Sequence, residues 1–204
     1  MRLFILSGQS NMAKLDETAT FIPAIEKAFP ESENVYVKVA KGGEPIRSWL
    51  AEWKDAEGKG YAPGKNGQFF TQIQERSKNK LKDLPAPKSV AFVWMQGEAD
   101  AKEHGAVYER SLNDLLALLQ KEFGREDVVF VLGRLNNFKK KAERKDWETV
   151  RQAQVAFADS RELSDWVDLD EFAGRGLHYR EEAYRELGQR FADKTILLLQ
   201  KNEK

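Results

Sequence analysis

Five short apolar runs, each rich in β-branched or aromatic residues, punctuate the chain at Leu3–Leu6, Val35–Val39, Val90–Trp94, Val128–Leu132 and Trp166–Leu169. Runs this short and this continuous fit strands buried on both faces. Between them residues recur at helical spacing: Phe21, Ile25 and Ala28; Phe70, Ile73 and Leu81; Leu112, Leu115, Leu116 and Leu119; Trp147, Val150, Gln154 and Phe157. A last helix carries Tyr184, Leu187, Phe191, Ile196 and Leu199 on its apolar side. Strands that alternate with helices pair in parallel and are covered on both faces. The expectation is a three-layer α/β/α sandwich with five parallel strands, in one domain over residues 1–204. One stretch breaks the alternation: Ser48 to Gly67, with Gly58, Gly60, Pro63, Gly64 and Gly67, reads as a long loop.

Charge and cysteine content narrow the function. The 204 residues hold 33 Lys+Arg against 33 Asp+Glu, so no basic surplus points to nucleic acid or an anionic membrane surface. With no Cys and two His there is no disulfide, no thiolate nucleophile and little material for a metal cage. No apolar run approaches the roughly 20 residues of a membrane span. Met1-Arg2 runs straight into the first strand, which argues against a signal peptide, although a trimmed leader would leave the same picture. Compartment and oligomeric state are not legible. The basic run Lys139-Lys140-Lys141 reads as a solvated loop.

In open parallel sheets, ligands bind beyond the carboxyl ends of the strands. After the first run comes Ser7-Gly8-Gln9-Ser10-Asn11-Met12, which offers a hydroxyl at a strand-to-helix turn or, equally, a helix cap. After the second comes Lys41-Gly42-Gly43-Glu44-Pro45, either bare backbone for an oxyanion or an ordinary glycine turn. After the third, Gln96-Gly97-Glu98-Ala99-Asp100 places an amide and two carboxylates at the same edge. The carboxylates could be an acid–base pair or loop braces. Of the two histidines, His104 lies at an expected exposed helix entrance, whereas His178 follows the fifth run and can reach the sheet edge. Ser10 and His178 thus form a nucleophile-plus-base arrangement. Gly8 to Met12 is not the Gly-x-Ser-x-Gly elbow, Gly58 to Lys65 fails as a phosphate loop, and no dinucleotide fingerprint is present.

Together these blocks resemble the SGNH hydrolase superfamily, and within it the sialate O-acetylesterase-like carbohydrate esterases. Gly8-Gln9-Ser10-Asn11-Met12 is similar to the nucleophile block, Gly42-Gly43 with Pro45-Ile46 and Trp49 to the second, Trp94 to Asp100 to the third, and His178 to the terminal block. The resemblance implies a flavodoxin-like fold and removal of acetyl groups from carbohydrate, with no cofactor and no metal. It implies Ser10 as nucleophile, His178 as base, and an oxyanion hole of the Ser10 and Gly43 N–H groups with the Gln96 amide. Gln9, Asn11, Glu98 and Asp100 become supports of the site.

Two departures stand out. The family's Asp three residues before the His is replaced by Arg175, with Gly176 following, and Lys14 stands where many relatives have Gly. Asp168, Asp170 and Glu171 end or follow the fifth run, and the expectation is that Asp170 or Glu171 has taken over the orientation of His178. Trp53 and Tyr61 are the expected sugar contacts, while Trp49 and Phe70 cover the sheet. The partner is therefore an acetylated sugar or oligosaccharide rather than nucleic acid or membrane. The rival reading is a non-catalytic sugar-binding descendant in which Arg175 records loss of the triad. A lipid or thioester hydrolase would need an apolar acyl channel that the Gly- and Lys-rich loop does not suggest.

Overall fold

The computed structural model describes residues 1–60, 66–137, 144–172 and 177–203. Their order is β1 (Arg2–Gly8), α1 (Ser10–Lys14), α2 (Phe21–Ala28), β2 (Asn34–Ala40), α3 (Gln68–Leu81), β3 (Ser89–Met95), α4 (Tyr108–Phe123), β4 (Val129–Gly133), α5 (Trp147–Asp159), β5 (Ser164–Val167) and α6 (Glu181–Asn202). The five strands form one parallel sheet in the order β2-β1-β3-β4-β5. This is the expected α/β sandwich in flavodoxin-like order.

Two cores flank the sheet. Leu3, Ile5, Phe92, Trp94, Phe130 and Leu132 face one side, where they meet residues of α3, α4 and α5. Phe4, Leu6, Val93, Met95 and Val131 face the other and meet α2 and α6. This two-sided burial explains why β1, β3 and β4 read as unbroken apolar runs, whereas β2 at one edge alternates. At that edge Arg76 and Lys80 donate to the Lys38 and Tyr36 carbonyls, both at 2.6 Å, which satisfies groups that would otherwise template another strand. The fifth strand lies two residues earlier than its apolar run, because the register pairs Phe130 with Ser164 and Gly133 with Val167. Leu169 is buried in the core beyond the end of that strand. Among the described residues no helix is long and apolar enough to cross a membrane.

Candidate active site

Strand order reverses around β1, whose neighbours are β2 and β3, and the crevice at such a switch point opens at the strand C-termini. Gly8 of β1 pairs with Ala40 of β2 and Met95 of β3, so the three blocks that follow these strands emerge side by side. Gly8 adopts φ +144°, and a Cβ there would sit 2.1 Å from the Met95 carbonyl oxygen. Only glycine lets β1 turn this tightly into α1. Ser10 is the first residue of that helix and is half-buried. A Cβ built on Gly42 would lie 3.6 Å from the Ser10 Cβ, which places the glycine turn beside the nucleophile candidate. Gly43 has φ +77° and is exposed. Among the described residues neither the Ser10 nor the Gly43 N–H is taken by an acceptor.

Behind this opening lies a buried polar network. Gln9 Oε1 accepts from Gln96 Nε2 and from the Ala99 N–H, both at 3.2 Å. Gln96 Nε2 also donates to Asp100 Oδ2 at 2.6 Å and to the Glu44 carbonyl at 3.1 Å, while Tyr108 donates to its Oε1 at 2.8 Å. Gln96 is fully buried. Its two amide hydrogens serve three acceptors, among them the Glu44 carbonyl next to Gly43, so the expected oxyanion donor is engaged within the protein. Asp100 takes the Ile46 N–H as well, at 2.9 Å. Burial raises its carboxyl to about 6 against the hydrogen bonds of Gln96 and Ile46. Burial likewise raises Glu98, which accepts from Asn11 Nδ2 at 2.6 Å. Both acids tie neighbouring loops together through these hydrogen bonds. Tyr108, and Gln154, which donates to the Gln96 carbonyl at 2.9 Å, belong to the network with no sequence signal beyond helical spacing.

His178 is exposed, and its pKa lies below the usual histidine value because of partial burial and then the Lys14 charge. Its neighbour Leu177 is tied through its carbonyl to Asn11 Nδ2 at 3.0 Å, so the residues next to Ser10 and next to His178 are in direct contact. No hydrogen bond joins Ser10 to His178 among the described residues, and catalytic contacts commonly tighten only with substrate bound. Asp170 and Glu171, the acids expected to orient His178, are both engaged by arginines. Asp170 accepts from Arg151 at 2.7 and 2.9 Å and from Arg134 at 2.9 Å, and Arg151 holds its carboxyl below the usual range. Asp168 pairs with Arg134 at 2.7 Å, and Glu171 with Arg190. Arg175 lies outside the described residues.

The aromatic loop is also corrected. Trp53 is 3% exposed and its indole N–H donates to Ser111 Oγ at 2.9 Å, so it belongs to the core and not to a sugar-facing surface. Its ring packs edge-on against His104, centroids 5.0 Å apart, and the His104 side chain is 10% exposed rather than open to solvent. Trp49 and Phe70 are buried over the sheet as expected. Tyr61 lies outside the described residues, as does the basic run at Lys139.

The doubly wound parallel sheet with Ser10 at its switch-point turn has the fold of the SGNH, or GDSL-like, hydrolases. The chain belongs to the carbohydrate esterase, sialic acid-specific acetylesterase family, whose profile matches residues 14–197. Gly43, Gln96 and His178 lie inside the matched stretch, and Ser10 just before it. The fold recurs in a protein from Arabidopsis thaliana, 17% identical over 96% of this chain and 98% of that one, with a TM-score of 0.73. A carbohydrate acetylesterase from Xanthomonas citri is 16% identical over 94% of this chain and 55% of that one, with a TM-score of 0.66. A carbohydrate esterase family 3 protein from Talaromyces cellulolyticus is 12% identical over 98% and 99%, with a TM-score of 0.59. At these identities the likeness establishes the fold. No curated protein sequence matches the chain.

Proposed function

We propose that this carbohydrate esterase is a serine O-acetylesterase acting on acetylated sugars, with Ser10 as nucleophile and His178 as general base. The observation that carries the reading is the placement of Ser10 against the Gly42-Gly43 turn, with two uncommitted backbone N–H groups beside it. Ser10 Oγ would attack the acetyl carbonyl while His178 takes its proton. The Ser10 and Gly43 N–H groups would meet the charge that develops on the carbonyl oxygen. Collapse of the tetrahedral intermediate breaks the bond to the sugar oxygen, which receives the proton from His178; water then releases acetate from the acyl-enzyme by the same route in reverse. Gln96 acts by holding the Gly43 turn.

Release of p-nitrophenol from its acetate and butyrate esters tests the reading. Acetate is expected to be cleaved far faster than butyrate, and Ser10→Ala is expected to lose orders of magnitude in kcat without unfolding. A Ser10→Ala variant with more than about a tenth of wild-type turnover would overturn it. A second reading, a non-catalytic sugar-binding descendant, is favoured by one observation: no described carboxylate orients His178. It predicts no turnover beyond that of Ser10→Ala.

A further inference from the structure

The segment that carries His178 is held from α1 and α6. Asn11 Nδ2 donates to Glu98 Oε1 and to the Leu177 carbonyl. The Leu177 carbonyl can only accept, so the orientation of the amide is fixed and its Oδ1 is left as an acceptor. The Tyr184 hydroxyl donates to it at 2.8 Å. Burial pushes the Tyr184 phenol up to about 12, so it keeps its proton across the neutral range. The Tyr184 ring also meets the Tyr179 ring edge-on, with centroids 5.7 Å apart. Tyr184 thus grips both neighbours of His178: Leu177 through Asn11, and Tyr179 by direct packing.

We propose that Tyr184 is a positioning residue for His178, which with Asn11 locks the backbone on either side of the imidazole against the helix that carries Ser10. The proposal rests on the Ser10–His178 reading above. It assigns to a backbone clasp the orientation that a carboxylate partner would otherwise supply. The contact spans 173 residues of sequence, so it also ties the last helix to the nucleophile turn.

The chain has only two histidines, so NMR of imidazole-labelled protein gives two sets of ring signals, with His104 as the internal control. His104 sits against Trp53, away from the clasp. In Tyr184→Phe the His178 signals are expected to shift and to report greater ring motion while those of His104 stay. kcat for p-nitrophenyl acetate is expected to fall about 10- to 100-fold with KM changed by less than about twofold, the scale of a misplaced catalytic group. His178 signals that do not move, or that move while kcat is unchanged, would overturn the proposal. If His104 also moves, the substitution has disturbed the fold, and the decision passes to Asn11→Ser, which removes the Leu177 link from the other side. Wild type inactive on every ester, with His178 still displaced in the variant, would refute the esterase reading and leave the clasp standing.

Discussion

Gln96 donates its amide to Asp100 at 2.6 Å, and neither side chain has any solvent-accessible surface. An amide so placed ties the third block of the site to the turn that follows the second strand. The Gln96→Ala variant should therefore lose thermal stability and kcat together, because it releases the Glu44 carbonyl and leaves Asp100 short of a partner. Breaking a buried bond to a charged group costs about 1.5–3 kcal/mol. A variant with wild-type melting temperature and an isolated loss of kcat would instead restore Gln96 as a direct oxyanion donor.

Asp100 sets a pH dependence of stability. Its folded carboxyl holds a proton up to about 6, against 3.8 when exposed, so between those values the folded state binds the extra proton. Stability from this group is therefore present below that interval and lost as pH rises through it. Glu98, also raised by burial, adds the same sign. The melting temperature of Asp100→Asn minus that of wild type should increase from about pH 4 to about pH 6. A constant difference across that range would show that Asp100 titrates normally.

His178 must be neutral to act as a base, and burial followed by Lys14 keeps it neutral below the usual 6.5. The acid limb of kcat/KM should accordingly lie below 6.5, and Lys14→Gln should move it upward. Added salt should reproduce part of that movement in wild type and little in the variant. An acid limb that Lys14→Gln leaves in place would exclude Lys14 from the surroundings of the base.

Asp170 should prove structural. Bound by Arg151 and Arg134, the Asp170→Asn variant is expected to lose about 1 kcal/mol of stability, discounted for partial exposure, and to keep kcat within about tenfold. An orienting triad acid behaves differently, since the corresponding Asp→Asn change in a serine protease costs about 10⁴ in kcat. Steady-state kinetics with a melting curve on the same preparation separates the two.

What the sequence by itself determined is local. Runs such as Val90–Trp94 are apolar at every position because a central parallel strand is buried on both faces, and that pattern needs no knowledge of partners. The helices followed from spacing, and the placement of Ser10, Gly43 and Gln96 at one edge followed from each block lying just past a strand. The tertiary structure decided where polar side chains point. Gln96 turns inward because Asp100, Gln9 and the Glu44 carbonyl surround it, and Trp53 is drawn into the core by Ser111, 58 residues away. Asp170 belongs to Arg151 and Arg134 rather than to the histidine that sequence spacing offered it. Tyr184, on the apolar side of a helix by periodicity, spends its hydroxyl on Asn11. Burial periodicity is written every two or four residues, whereas a hydrogen bond goes to whichever acceptor the packed fold brings within about 3 Å, and that neighbour has no fixed distance along the chain.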